Sequence, residues 1–289
     1  MVIPTYNRSA VSEAVKSALN QTHEKIEVIV VDDHSETPAK KHLEDIEDER
    51  MTVLRHDENK NGSAARNTGI DAASGDYIAL LDDDDQWKPE KLEKQLKNLD
   101  EKEEEYRACY TGAETVYSDH SEEVVPEAEG DITKQVLEMS VNGSFGSTLI
   151  ADKELVDKID GFDEEFGMHQ DWEFILRLLE KTKFKLVKEP LIKREVMYGY
   201  EPRDLEFLVQ NKKRFIDKFS DKIQETGKLK SRRIKAKHYI KIAQNAAFKG
   251  KISFASKYFL KSLLQYPFLK PREIARTPYY YLRFLSTSP

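Results

Sequence analysis

The fold class this sequence predicts is α/β: an open, doubly wound mixed sheet followed by an all-helical appendage. Three observations predict it. Short β-branched runs alternate with amphipathic helical stretches through the first 110 residues. Two of those runs end abruptly in acids, VIVVDD and IALLDDDD. Beyond Pro202 the strand signals stop and the composition turns from acidic to basic.

The elements follow in order. VIPTYN reads as a first strand that starts almost at the first residue, so it is expected to be short or frayed. Val11, Val15, Ala18 and Leu19 then share one helix face, and IEVIVV is a continuous apolar run of the kind buried in parallel sheets. A βαβ unit is the economical reading. It repeats through a helix around Leu43 and Ile46, the strand MTVL, a helix over Ser63–Ala73 and the strand YIALL. Pro89 suits a first helical turn, and Leu92, Leu96 and Leu99 continue at helical spacing.

From 111 to 150 the pattern weakens, and the acidic DHSEEVVPEAEGD reads as an exposed loop. Strands resume at TLI and FKLV, around a helix that starts near Asp171 and stripes Trp172, Ile175, Leu176 and Leu179 along one side. Past Pro202, Leu205, Leu208, Phe215 and Phe219 open a helical region. Two later helices pair about Gly250 through Ala243, Ala246, Ala247, Ala255 and Phe259. The expected division is 1–202 and 203–289.

Charge divides at the same place. Residues 1–202 hold 25 Lys and Arg against 47 Asp and Glu, a net −22, whereas residues 203–289 hold 21 against 6, a net +15. Such asymmetry predicts two units with different neighbours. No stretch approaches the ~20 apolar residues that span a bilayer, and there is no charged-then-apolar leader, so the expectation is a soluble, cytoplasmic protein. Cys109 stands alone and reads as a small core residue.

Four aspartates in a row, Asp82–Asp85, repel one another, and a chain that places them at a strand end gains something by it. Ligands of open parallel sheets bind beyond the carboxyl ends of the strands, where the pair Asp32–Asp33 also falls. Two carboxylate clusters make a hard-oxygen site for Mg²⁺ or Mn²⁺, held together with phosphate oxygens of a nucleotide diphosphate. The competing reading is a solvated loop capping the Pro89 helix.

Read together, VIPTYNR, SALNQT, VVDDHS, NGSAARNTGI, GDYIALLDDDDQWKPEKLEKQ and IDGFDEEFGMHQDWEFILRL resemble, in order and spacing, the motifs of family 2 glycosyltransferases of the GT-A fold. The resemblance covers residues 1 to about 195. It implies that Pro4, Thr5 and Tyr6 pack around the nucleobase and ribose, that Asp33, or less well Asp32, accepts a hydrogen bond from the base, and that Arg66 lies beside the base or the diphosphate. The family's DxD motif falls on Asp82 and Asp84, with Asp84 the metal ligand and Asp82 and Asp83 nearer the ribose. Asp171, in HQDW where relatives commonly carry Glu-Asp, takes the catalytic base position.

The chemistry asks for these residue types. Displacing a nucleoside diphosphate from a sugar C1 builds charge that a divalent ion neutralises, and the incoming hydroxyl needs a separate carboxylate as base. The expected outcome is inversion at C1, with Asp171 kept ionised by the helix N-terminus. Plainer roles compete: Asp171 as a helix N-cap, Arg66 in a surface ion pair, His169 in a loop, Trp172 in the core, and Trp87 in the core or on a sugar. Relatives often carry a His or Arg after the base helix that closes the site over the diphosphate; KREVMYGYEPR offers Arg194 or Arg203 for that place, and the resemblance assigns neither.

Aromatics among cations in KYFLKSLLQYPFLKPREIARTPYYYLRF suit an anionic membrane surface, peripheral to a polyprenyl-phosphate-linked glycan acceptor, or equally a tail that docks on its own acidic half. No nucleic-acid module is legible. The functional expectation is a metal-dependent inverting transfer from a UDP-sugar to a surface or lipid-linked glycan. The alternatives are a noncatalytic nucleotide-sugar binder or scaffold of the same fold, or a membrane-surface interaction protein.

Overall fold

The computed structural model describes residues 1–99, 103–117, 119–141, 145–195 and 204–270. They fall into two units, one of residues 1–133 with 141–195 and the other of 134–140 with 204–270.

In the first unit, β1 (Val2–Thr5), α1 (Val11–Leu19), β2 (Val28–Asp32), α2 (Ala39–His42) and β3 (Met51–Arg55) build a parallel three-stranded sheet in the order β1-β2-β3. β1 is four residues long and buried throughout, and its pairing of Thr5 with Asp32 aligns the carboxyl ends, so it is short but not frayed. α3 (Gly62–Ala72) and β4 (Tyr77–Ala79) follow, and Leu80 bridges in parallel to Val2, which carries the sheet onward. The helix expected around Leu43 and Ile46 is shorter than its apolar residues suggested: α2 ends at His42, and Leu43 is buried just beyond it.

The remaining elements of this unit are β5 (Asp85–Trp87), α4 (Lys91–Asn98), β6 (Tyr106–Val116), β7 (Ser121–Val124), α6 (Phe145–Thr148), β8 (Ile150–Asp152), α7 (Lys153–Lys158), α8 (Gln170–Leu178) and β9 (Lys183–Glu195), while α5 (Thr133–Leu137), between β7 and α6 in the chain, belongs but for its first residue to the second unit. Their sheet runs β4-β8-β6-β9-β5, with β7 on β6, and mixes a parallel β6–β9 pair with antiparallel neighbours. The acidic stretch read as a loop contains β7, an antiparallel edge strand of exposed Ser and Glu. Its backbone pairs while its charges face water, the usual guard on a sheet edge, so its strand character leaves no apolar trace.

The second unit is helical: α9 (Leu205–Lys218), α10 (Ser220–Glu225), α11 (Lys228–Phe248) and α12 (Ile252–Gln265). α11 and α12 form the hairpin expected about Gly250, whose φ of 67° turns the chain where a side chain would be strained. Ala243, Ala246, Ala247 and Ala255 are buried there. Buried Glu138 accepts from Arg233 at 2.8 Å and Lys237 at 2.9 Å. Arg203 and the aromatic end, 271–289, lie outside the described residues.

Candidate active site

The acids Asp32, Asp33 and Asp82–Asp85 lie at or just beyond the carboxyl ends of β2 and β4, and each has a different environment. Asp32 is buried, which works to raise its pKa. Backbone N–H groups of Ser35 at 2.8 Å and Ala39 at 2.9 Å, with the Arg55 guanidinium, hold it below the usual carboxylate range. Asp32 therefore fastens the loop after β2.

Asp33 is also buried and accepts from Lys60 N and Asn61 N, both at 2.8 Å, and from His56 Nδ1 at 2.7 Å. The Nε2 of His56 meets Thr68 Oγ1 at 2.8 Å, so this histidine ties α3 to the end of β2. A carboxylate offers about four acceptor positions, and three are used here. His56 was missed in the sequence, where it looks like any polar residue after a strand.

The four aspartates diverge. Asp82 Oδ1 accepts from Arg66 Nη2 at 2.6 Å, and its backbone N–H donates to Ser147 Oγ at 3.0 Å. Asp83 accepts from Thr5 Oγ1 at 2.6 Å, with Arg8 at 3.6 Å, and burial pushes its pKa up to about 6. Asp84, the most exposed, is ion-paired with Arg8. Asp85 is buried under Ser147 Oγ at 2.6 Å and Arg194 Nε at 3.7 Å; burial and the Asp82 charge raise it to about 7. Three arginines and two hydroxyls thus surround the acidic run. The reading of the run as a helix cap does not hold: α4 starts at Lys91 with Glu90 as its cap residue.

Arg66 links this cluster to α8. Its Nη1 donates to Gln170 Oε1 at 3.1 Å, and its guanidinium lies over the Phe162 ring, 5.4 Å from the centroid. Phe162 stacks on Phe174 at 4.2 Å, and Asn67 grips the Phe162 backbone through N–H and C=O. Arg177, paired with buried Glu173, donates to the Gly161 carbonyl at 2.7 Å. The IDGFDE loop is thereby clamped from α3 and α8 together.

Asp171 is the second residue of α8, after a His169 cap residue with φ of 64°, so it is not the N-cap. The helix N-terminus favours the charged form, as expected, but another influence opposes it. Burial of the carboxyl group, aided by the Asp82 charge, pushes its pKa up to about 6 despite the Trp172 N–H and Arg66. Desolvation outweighs the helix end.

Pro4 and Thr5 are buried at the end of β1, while Tyr6 is 48% exposed at the rim. Trp87 is core: its Nε1 donates to the Ser147 carbonyl at 2.8 Å. Trp172 is partly buried, edge-on to Phe145. Among the described residues no three His, Cys, Asp or Glu side chains converge to hold a metal ion unaided. Asp82 and Asp84 supply hard carboxylate oxygens, a donor set that fits Mg²⁺ or Mn²⁺ once diphosphate oxygens join it.

Residues 1–138 match the model of glycosyl transferase family 2. The chain is 32% identical over 200 residues to the amylovoran biosynthesis glycosyltransferase AmsB of Erwinia amylovora, covering 65% of each protein. It is 30% identical over 203 residues to an uncharacterized glycosyltransferase of Haemophilus influenzae, covering 66% of each. Identity to TuaG of Bacillus subtilis, named for teichuronic acid biosynthesis, is 41% over 105 residues, 35% of this chain and 42% of that one. The chain therefore spans less than two-thirds of the length of these relatives. Among solved structures it is similar to S. aureus TarS residues 1–349 in complex with UDP-GlcNAc, with a TM-score of 0.59 at 14% identity, over 99% of this chain and 90% of that one. At that identity the likeness speaks for the fold.

Proposed function

Because the chain belongs to glycosyl transferase family 2 and has its GT-A fold, we propose that it moves a sugar from a nucleotide-diphosphate donor, a UDP-sugar, to a hydroxyl of a surface or lipid-linked glycan, with inversion at C1. One observation carries the reading: Arg66 bridges Asp82 in the acidic run and Gln170 at the start of the helix that carries Asp171, which supports a single site for both.

In this reading Thr5, Tyr6 and Asp33 hold the nucleoside, and Arg66 meets the diphosphate. Asp84 and Asp82 would hold a divalent ion, which would supply positive charge to offset that developing on the departing diphosphate. Asp171 takes the proton of the acceptor hydroxyl as the new O–C1 bond forms and the C1–O bond to phosphate breaks. Its raised pKa suits a group that must release the proton again near neutral pH. Complexes of S. aureus TarS with UDP and UDP-GlcNAc support a UDP-sugar donor. The amylovoran and teichuronic acid names of its relatives support a surface glycan acceptor.

Among its described residues the basic helical unit exposes five large apolar side chains, Leu229, Ile252, Leu260, Leu264 and Phe268. Among its lysines they favour a peripheral hold on an anionic membrane. No helix among the described residues is long and apolar enough to cross one.

The test combines titration of UDP with and without Mn²⁺ and measurement of transfer from UDP-sugars, on the native chain and on Asp171→Asn. Transfer lost with UDP binding retained supports the reading. UDP binding with no transfer even by the native chain would make it a noncatalytic nucleotide-sugar binder.

A further inference from the structure

We propose that Gly146, held in place by Ser147, is a positioning residue for Asp82: it sets where that carboxylate points, and through it the affinity of the site for a metal-bound nucleotide. The affinity part rests on the functional reading above; the positioning does not.

The segment Phe145–Thr148 carries no charge and none of the motifs that single out the site, yet it lies directly beneath the aspartate run, buried at every residue. Each of its parts is anchored by a different element. Phe145 meets the Tyr110 ring at 5.5 Å and the Trp172 edge at 5.9 Å. The Ser147 carbonyl accepts from Trp87 Nε1 at 2.8 Å, and the Thr148 carbonyl from Gln95 Nε2 at 2.9 Å. So held, the short helix acts as a fixed template rather than a loop that follows its neighbours.

Two contacts run from the template to the aspartates. The Ser147 hydroxyl accepts from the Asp82 N–H at 3.0 Å and donates to Asp85 Oδ2 at 2.6 Å, so one oxygen spans the first and last acids of the run. Beside it, the Asp82 carboxylate lies against the backbone of Gly146. A Cβ at Gly146 would stand 2.5 Å from Asp82 Oδ2, closer than such atoms approach, and a tight 3.1 Å from its Cγ. The other oxygen, Oδ1, is taken by Arg66. Asp82 is therefore bracketed by an arginine on one side and by the missing side chain of Gly146 on the other.

Gly146 does not lie in the left-handed region where glycine is conformationally required. An alanine fits its backbone and is the better helix former. The three atoms nearest to such a Cβ all belong to Asp82, the end of a side chain that can rotate away. Gly146→Ala thus moves one carboxylate with little effect on the fold.

The experiment measures UDP binding in Mn²⁺ by calorimetry for the native chain, Gly146→Ala, Asp82→Ala and the double variant. Gly146→Ala is expected to weaken binding about tenfold or more, and to add nothing in the Asp82→Ala background, where the clashing group is gone. Equal weakening in both backgrounds, or none in either, overturns the proposal. A ligand-free arm separates the positioning from the functional reading: urea denaturation of Arg66→Ala in the native and Gly146→Ala backgrounds. If Gly146 places Asp82 against Arg66, Arg66→Ala lowers the midpoint less in the Gly146→Ala chain. An equal drop overturns the positioning whatever the site binds, whereas unequal drops without any Mn²⁺-dependent UDP binding by the native chain retain it and reject the nucleotide-site reading.

Discussion

Replacing Lys91 by methionine should stabilise this protein at neutral pH and flatten its response to alkali. Lys91 is fully buried in α4, with Nζ donating to Gln95 Oε1 at 2.6 Å and lying 3.9 Å from the Trp87 ring centroid. Burial pushes its pKa from 10.5 down to about 7. Between those values the unfolded chain holds a proton that the folded chain has released, so stability rises with pH from 7 towards 10.5, and the whole penalty is felt below 7. At pH 7 the buried amine costs about 4 kcal/mol, and at pH 9 about 2 kcal/mol. Met matches the length of the side chain without its charge, but leaves Gln95 Oε1 without its donor, a loss of about 1–3 kcal/mol. The expected net gain at pH 7 is about 1–3 kcal/mol, shrinking by about 2 kcal/mol at pH 9. Cys109, raised to about 11 by burial, pulls the other way above pH 9 and is common to both chains. Urea denaturation of both proteins at pH 7, 8 and 9 reads the difference directly. Parallel stability curves would refute the buried-amine argument.

Three further outcomes follow from the site. Asp171 must be ionised to accept a proton, so transfer should fall about tenfold per pH unit below 6; a pH–rate profile flat between 5 and 7 would remove it as the base. Arg8→Ala frees Asp84 of its competing cation and should tighten binding of Mn²⁺ alone several-fold by calorimetry; unchanged affinity would mean that Asp84 does not meet the ion. Glu173→Ala leaves Arg177 as an unpaired, largely buried charge under the IDGFDE loop, which should cost ~3 kcal/mol in denaturant unfolding, whereas a loss near zero would make the clamp dispensable.

Much of the framework was legible because it depends on neighbours in the chain. VIVVD is apolar and β-branched and forms a buried strand, and the Leu205–Phe219 stripe forms a helix, since periodicity alone dictates which face needs covering. What escaped reading depends on partners far along the chain. Arg8 gave no sign that it pairs with Asp84, nor Gly146 that it lies beneath Asp82, because those contacts cross 76 and 64 positions and leave no local pattern. β7 escaped because an edge strand can be all charge.

The sequence by itself therefore determined the alternation of strands and helices, the acids at the strand ends and the helix that carries Asp171, all consequences of period and local chemistry. Tertiary structure alone decided what those acids are. Packing placed one aspartate against an arginine and buried the next beneath a hydroxyl, and it desolvated Asp171 far enough to outweigh its helix end. Charge and protonation answer to the dielectric and to groups within a few ångströms, and only the folded chain brings those groups together.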